Sequence, residues 1–195
     1  MIIYLHGFRS APASIKAQAL LRHMSARGLA HEFWCEELPV APKDAIALIE
    51  AQIARCRANR PELPPTLIGS SLGGYYATHL AEKHDLKAVL VNPAVVAPLS
   101  LEAYVGEQTN LYTGETFQFT HDYIAQLRAM DVATITRPEK YWLLVETGDE
   151  VLDYRDAVTK YAGAHQTVLE GGDHGFSRWT DYLDEVLAFA GITAR

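Results

Sequence analysis

Residues 67–76 read LIGSSLGGYY, and this stretch constrains the fold more than any other part of the sequence. A short apolar run leads into the pattern Gly-x-Ser-x-Gly, which predicts a strand that turns sharply into a helix with Ser71 at the apex. Glycine suits positions 69 and 73 because a side chain there would collide with the neighbouring strand and helix. The first turn of the helix offers unpaired N–H groups and the positive end of its dipole, which suit a developing oxyanion. The stretch therefore predicts a turn that presents a nucleophilic hydroxyl.

Short apolar runs alternate with helix-compatible segments along the rest of the chain. Six strands are predicted, at residues 2–5, 31–38, 65–70, 87–92, 141–147 and 166–169. Helices are predicted between them, from a Ser14 N-cap to Gly28, from Pro42 to Asn59, after Ser71, around residues 154–161 and along an apolar stripe at residues 179–190. Near-continuous apolar strands that alternate with helices indicate a mostly parallel sheet covered on both faces. We therefore expect an α/β fold, a three-layer α/β/α sandwich with a six-stranded sheet.

Residues 94–139 break this alternation. The segment is too long for an ordinary loop, and a short helix is predicted within it from about Thr120 to Met130. Its polar sequence contains five aromatic residues: Tyr104, Tyr112, Phe117, Phe119 and Tyr123. We interpret it as a small lid or cap insertion. The alternative is a crossover helix with a long surface loop, whose aromatic side chains form a satellite core instead of an acyl pocket.

Three predicted strands end in residues with reactive groups, and such ends meet at one edge of a parallel sheet. Ser71 follows the third strand, Asp149 follows the fifth, and His174 lies in the glycine-rich residues 171–175 after the sixth. A serine hydroxyl needs a base to take its proton, and an imidazole held by a carboxylate can do this at neutral pH. The order Ser, Asp, His supplies that set.

Each of these positions has a competitor. Ser70 competes with Ser71, but only Ser71 is centred between the two glycines. Asp153 and Glu150 are close enough to Asp149 in sequence to compete as the acid, and Asp173 neighbours the histidine. The other histidines, apart from His6, lie on predicted helices or beside strands.

Three motifs together carry a family resemblance. They are YLHGFRS at residues 4–10, GSSLGGYY at 69–76 and EGGDHGF at 170–176. With a strand-end Asp149 they resemble the α/β-hydrolase superfamily, and more narrowly the short bacterial YqiA-like esterases, over essentially the whole chain. The resemblance implies a minimal hydrolase sheet with strand order 2-1-3-4-5-6. It also implies hydrolysis of an ester or thioester through an acyl-enzyme, with Ser71 as nucleophile, Asp149 as acid and His174 as base.

The same topology gives the first strand a role beside Ser71. The backbone N–H groups of Phe8 and Leu72 would converge on one oxygen and form an oxyanion hole. His6 precedes this turn, and we expect its side chain to make a local hydrogen bond and not to take part in catalysis.

Composition excludes several other classes of function. The chain has 195 residues, enough for a single domain over 1–195, with 94–139 as its insertion. A formal net charge of -7 argues against nucleic acid as a partner. No Gly-Lys-Ser/Thr phosphate loop, Gly-x-Gly-x-x-Gly or His-Glu-x-x-His is present, so we expect no cofactor and no metal. The substrate is expected to be a small-molecule acyl ester or thioester, with Arg9 as a candidate contact for the phosphates of an acyl-CoA.

Other features of the sequence indicate a cytoplasmic protein. The apolar run at residues 1–5 is too short for a signal peptide or a membrane span. Cys35 and Cys56 lack metal-ligand spacing and are expected to be reduced core thiols. The charged residues from Glu32 to Glu37 are expected at a solvated sheet edge.

Oligomeric state does not follow from the sequence. A function from another class, a hydrolase-fold module that binds a protein partner without catalysis, remains the alternative.

Overall fold

The computed structural model describes residues 1–192, and a parallel sheet runs through their centre. The strands are β1 (Ile2–Leu5), β2 (Phe33–Trp34), β3 (Thr66–Ser70), β4 (Lys87–Val91), β5 (Gly106–Thr109), β6 (Thr116–Phe119), β7 (Tyr141–Glu146) and β8 (His165–Leu169). Six of them form the sheet in the order β2-β1-β3-β4-β7-β8, and every pair in it is parallel. This confirms the predicted order 2-1-3-4-5-6, since β5 and β6 form a separate hairpin.

Helices cover both faces of the sheet, which confirms the three-layer architecture. They are α1 (Ile15–Ser25), α2 (Pro42–Asn59), α3 (Leu72–His84), α4 (Ala97–Ser100), α5 (His121–Ala129), α6 (Tyr154–Lys160) and α7 (Leu183–Phe189). Alternate residues of each strand point to opposite faces. Ile3 and Leu5 accordingly pack with α2, α3 and α6, whereas Ile2 and Tyr4 pack with α1 and α7. No helix in residues 1–192 combines the length and apolar character needed to cross a membrane.

The second strand is much shorter than the sequence indicates. Strand β2 has two residues instead of the predicted 31–38, because residues 30–32 form a 3-10 turn before it and only Phe33 and Trp34 pair with β1. The expectation of a solvated charge cluster is wrong for Glu32, which is only 9% exposed. Its carboxylate accepts hydrogen bonds of 2.5 and 2.6 Å from the guanidinium of Arg60, at the end of α2. The ion pair joins α2 to the edge of the sheet.

Residues 94–139 contain α4, α5 and an antiparallel hairpin that was not predicted. Strands β5 and β6 pair from Gly106 with Phe119 to Thr109 with Thr116. Asn110 closes the hairpin loop, since its side-chain oxygen accepts the N–H groups of Tyr112 and Thr113. Its amide also donates to the carbonyl of Ser10, so the hairpin is fastened to the loop after β1.

The aromatic residues of this segment differ in burial. Phe119 is a core residue with 2% exposure, and Phe117 and Tyr123 pack on the same core. Tyr112 is 45% exposed and faces the cleft beside Ser71. Thr120 is the N-cap residue of α5, and its hydroxyl accepts the N–H of Tyr123, which agrees with the predicted start of the helix.

Candidate active site

Ser71 occupies the turn between β3 and α3 with a backbone conformation that L-residues rarely adopt, φ 55° and ψ −122°. A Cβ atom at position 69 would lie 2.2 Å from the carbonyl oxygen of Gly73, and one at position 73 would lie 2.0 Å from that of Leu5. Both distances are far below van der Waals contact, so only glycine fits on either side of the serine. Such a turn lifts the serine side chain out of the sheet.

The side chains of Ser71, His174 and Asp149 form a hydrogen-bonded chain. The Nε2 atom of His174 lies 3.1 Å from the Oγ atom of Ser71. On the other side of the ring, Nδ1 lies 2.8 and 3.0 Å from the two carboxylate oxygens of Asp149. A carboxylate can only accept here, so Nδ1 bears the proton and Nε2 is left free to accept one from the serine hydroxyl.

The Asp149 side chain is itself held in place. It is 2% exposed, and its Oδ1 atom accepts the backbone N–H groups of Val151 and Leu152 at 2.9 and 2.8 Å. These bonds fix the carboxylate against the imidazole and leave it little freedom to rotate.

The competing acids have other contacts. Asp153 caps the N-terminus of α6, where it accepts the N–H of Arg155 and pairs with the Arg155 guanidinium, which lowers its pKa to about 2. Glu150 accepts the backbone N–H of His174 at 3.0 Å, and Asp173 is exposed. Among these four carboxylates in the described chain, only that of Asp149 bonds to the imidazole ring.

A buried carboxylate that the sequence reasoning missed holds the histidine loop. Glu146, the last residue of β7, has no exposed surface. Its carboxylate accepts the N–H of Asp173 at 2.9 Å, that of Ser177 at 3.2 Å, and the Nε–H of Arg178 at 2.8 Å. Burial opposes its charge, but the bond from Arg178 and the backbone N–H groups outweigh that effect and lower its pKa. A charged residue at the end of an otherwise apolar strand was the signal in the sequence.

Asn92 was missed as well, and it links the histidine loop to the sheet. It follows β4 with φ 40° and is 2% exposed. Its amide nitrogen donates to the carbonyls of Asp173 and His174 at 2.9 and 3.1 Å, while its oxygen accepts the N–H of Glu146. An asparagine ending an apolar strand just before Pro93 was the available signal.

A third contact to this loop comes from helix α1. The ammonium group of Lys16 donates to the carbonyl of Gly175 at 2.7 Å. Burial lowers the pKa of Lys16 to about 8, although Asp173, Asp149 and Glu146 favour its charged form. The loop carrying His174 is therefore tied to β4, β7 and α1.

The turn after β1 lies directly against the serine. A Cβ atom on Gly7 would lie 3.1 Å from the Cβ atom of Ser71. In residues 1–192, the backbone N–H groups of Phe8 and Leu72 donate to no other protein group. His6 directly precedes Gly7. Its Nδ1 donates to the Gly7 carbonyl and its Nε2 accepts the N–H of Leu38, so both ring nitrogens have hydrogen-bond partners.

Two cavities meet at Ser71. One has a volume of about 230 Å³ and extends toward α4 and the loop after β7. The other has a volume of about 450 Å³ and extends along the start of α1 and the histidine loop. Within residues 1–192, no group of three or more His, Cys, Asp or Glu side chains is arranged to hold a metal ion.

This fold and site can now be compared with known proteins. The family model described as "Uncharacterised protein family (UPF0227)" matches residues 1–191. The chain belongs to the UPF0227 family. The match covers almost the whole chain, so it confirms the family resemblance drawn from the three sequence motifs.

This UPF0227 member also resembles one curated plant protein. It is 31% identical over 113 residues to "Phytyl ester synthase 2, chloroplastic" from Arabidopsis thaliana. The match covers 51% of this chain but only 15% of that protein, so this chain corresponds to a small part of its relative's length.

Solved structures similar to this UPF0227 member share its fold along nearly the whole chain. Alpha/beta hydrolase domain-containing protein 10 from mouse has a TM-score of 0.67 and 18% identity, with 96% of this chain and 89% of that chain covered. The esterase domain of a Rhodothermus marinus protein has a TM-score of 0.66 and 19% identity, with 97% and 85% covered. Est1E from Butyrivibrio proteoclasticus has a TM-score of 0.67 and 14% identity, with 97% and 87% covered. At these identities the likeness shows the α/β-hydrolase fold.

Proposed function

We propose that this protein is a serine hydrolase that cleaves carboxylic esters or thioesters through an acyl-enzyme intermediate. The observation that carries the proposal is the hydrogen-bonded chain from Ser71 Oγ through the His174 imidazole to the Asp149 carboxylate, with distances of 3.1 and 2.8 Å. Three side chains distant in sequence meet in the order that nucleophilic acyl transfer requires.

In the acylation step, His174 Nε2 takes the proton of Ser71 while the serine oxygen bonds to the acyl carbonyl carbon. The imidazolium then gives that proton to the leaving alcohol or thiol as its bond to carbon breaks. Water repeats the sequence on the acyl-enzyme and releases the acid. Asp149 keeps the ring in the correct tautomer and stabilises its charged form.

The carbonyl oxygen becomes negative during each attack, and the N–H groups of Phe8 and Leu72 are proposed to stabilise it. Within the described residues 1–192 neither group donates to a protein acceptor, and both lie in turns that adjoin Ser71. The Leu72 N–H also belongs to the first turn of α3, where the helix dipole favours negative charge. Loss of one such donor costs roughly 10²-fold or more in rate.

The names of related proteins support ester chemistry. One structural relative is named an esterase domain, and the curated relative is named a phytyl ester synthase. Both names concern acyl groups bound to oxygen, which matches what the arrangement of Ser71, His174 and Asp149 can attack.

Residues 94–139 are proposed to act as a cap on a single domain. Their hairpin is fastened to the loop after β1 through Asn110 and Leu111, and Leu111 and Tyr112 border the cleft at Ser71. A substrate reaching the serine therefore passes this segment.

A fluorophosphonate probe tests the proposal, because it reacts only with an activated serine. We expect labelling at Ser71 that is lost in Ser71→Ala and in His174→Ala, with Ser70→Ala as the matched control that retains it. A panel of p-nitrophenyl esters and acyl-CoAs then reports on ester and thioester cleavage. An unreactive Ser71 in well-folded protein would instead favour the non-catalytic interaction module.

A further inference from the structure

The two cavities at Ser71 differ in the reacting groups that they contain. The larger one, of about 450 Å³, is lined by both Ser71 and His174. The smaller one, of about 230 Å³, is lined by Ser71 and Leu72 but not by His174. Phe8 and Leu111 line both cavities.

The chemistry of the leaving group decides which part of a substrate enters each cavity. When the tetrahedral adduct collapses, the bond from carbon to the leaving oxygen or sulfur breaks, and that atom receives the proton from His174 Nε2. It must therefore lie within hydrogen-bond reach of the imidazole. Of these two cavities only the larger is lined by His174, so the leaving alcohol or thiol belongs there and the acyl chain belongs in the smaller cavity.

The walls of the smaller cavity suit an aliphatic chain. Leu101, which directly follows α4, is 7% exposed, and it lines the cavity together with the partly buried Leu152 and Tyr104. No Lys, Asp, Glu or His side chain lines this cavity, whose one charged lining residue is Arg9. The Arg9 guanidinium already donates from Nε to the Thr109 carbonyl, at 2.9 Å.

The volume limits the length of the chain. At about 30 Å³ for each water-sized group, 230 Å³ holds roughly eight carbon-sized groups. A longer chain has to leave past Leu111 and Val151, which are 70% and 55% exposed at the mouth.

On the basis of the proposed hydrolase activity, we infer that the cavity lined by Leu101, Tyr104 and Leu152 is an acyl site for aliphatic chains of up to about eight carbons. The cavity along α1 and the histidine loop is the site for the alcohol or thiol. Leu152 and Leu101 then determine acyl length, and Ile15 at the start of α1, which is 76% exposed, contacts the leaving group.

Substitutions in the two cavities separate the two specificities. For wild-type protein, we expect kcat/KM on p-nitrophenyl esters to rise from acetyl to about octanoyl and not beyond. Leu152→Ala should raise the ratio of kcat/KM for decanoyl over butyryl esters about tenfold, because it lengthens the cavity. Leu101→Ala should act in the same direction, but Leu101 is buried, so its folding is checked by circular dichroism.

Ile15→Trp is the matched variant in the other cavity. It should leave the ratio of kcat/KM for decanoyl over butyryl esters within about twofold of the wild-type ratio. It should lower the ratio of kcat/KM for 2-naphthyl octanoate over methyl octanoate about tenfold. The assignment of the cavities is overturned if Leu152→Ala changes the alcohol preference, or if Ile15→Trp changes the acyl preference. It is equally overturned if folded variants change neither.

Fluorophosphonate labelling of the same proteins distinguishes this failure from failure of the hydrolase proposal. Suppose that the variants label at Ser71 and hydrolyse esters, but their acyl and alcohol preferences do not change as described. That result contradicts the cavity assignment alone. Wild-type protein that neither labels nor hydrolyses esters contradicts the hydrolase activity on which the assignment rests.

Discussion

Gly73 lies so close to Leu5 that a Cβ atom on it would be 2.0 Å from the Leu5 carbonyl oxygen. The obstacle is backbone of the neighbouring strand, which cannot move aside as a flexible side chain could. We therefore expect Gly73→Ala to destabilise the protein by more than about 3 kcal/mol, measured by urea unfolding. Gly28→Ala is the control, since Gly28 has a φ of 73° with no atom near its Cβ position. Backbone strain alone should lower the free energy of unfolding of Gly28→Ala by about 1 kcal/mol. Equal losses in the two variants would contradict the steric explanation.

Ser71→Ala should leave the midpoint of thermal unfolding unchanged or slightly higher. We expect the backbone strain at this position, where φ is 55°, to persist in the variant, and we propose that the hydroxyl serves reactivity and not packing. Calorimetry on wild type and variant measures this directly. A fall of more than about 5 °C, equivalent to roughly 1 kcal/mol or more, would show that the serine is needed for the fold.

Asp149→Asn should lower kcat by about 10³- to 10⁴-fold, because an amide in place of the carboxylate no longer selects the tautomer that leaves Nε2 free. Asp153→Asn is the matched control. It removes a charge from the N-cap of α6, four residues away in sequence, and should change kcat by less than about threefold. Steady-state kinetics on a p-nitrophenyl ester compares the two. A larger loss in Asp153→Asn would reverse the assignment of the acid.

Glu146→Gln should reduce both stability and turnover. An amide in this fully buried position places N–H groups against the donors of Asp173 and Arg178 and removes the buried carboxylate that pairs with the partly exposed Arg178. We expect a loss of about 2–4 kcal/mol in the free energy of unfolding. We also expect a lower kcat with little change in KM, because the loop carrying His174 is less well held. Glu150→Gln, at an exposed site, is the control and should change stability much less than Glu146→Gln does. The positioning role is wrong if Glu146→Gln loses stability but keeps the wild-type kcat.

Glu32 should make part of the stability depend on pH. Its bond to Arg60 lowers the pKa of the carboxyl from 4.5 to about 2, so the stabilisation is present above pH 4.5 and is lost as the pH falls toward 2. At pH 7, the free energy of unfolding of Glu32→Gln should be about 1–3 kcal/mol lower than that of wild type. By pH 3 that difference should have fallen by about half or more. Urea unfolding at several pH values measures it, and a difference that does not vary with pH would contradict the ion pair.

The sheet and the three residues at Ser71 could be predicted because each rests on a local pattern. Apolar runs indicated the six strands of the sheet. Gly69 and Gly73 indicated the sharp turn at Ser71, because no residue other than glycine fits at those two positions. The hydrogen bond between His174 and Ser71 joins residues 103 positions apart, and here the order of strands in a parallel sheet supplied the proximity.

The remainder depends on long-range contacts that leave little trace in local sequence. The hairpin β5–β6 was missed because its strands are polar, with only Phe119 buried, so the alternation of apolar residues is weak. Glu32 looks like an exposed acid until Arg60, 28 residues later, is brought beside it. Glu146 and Asn92 gain their roles only when the histidine loop folds back over the ends of β7 and β4.

Residues 91–94, which comprise the last residue of β4 and the three residues after it, form hydrogen bonds with both Ser71 and His174. The carbonyl of Val91 accepts the N–H of Ser71, the N–H of Ala94 donates to the carbonyl of Ser71, and Asn92 between them holds the backbone at His174. Ser71 and His174, the proposed nucleophile and base, are thus both hydrogen-bonded to this one tetrapeptide. A designer transplanting this site to another scaffold would have to carry that tetrapeptide along with the three reactive side chains.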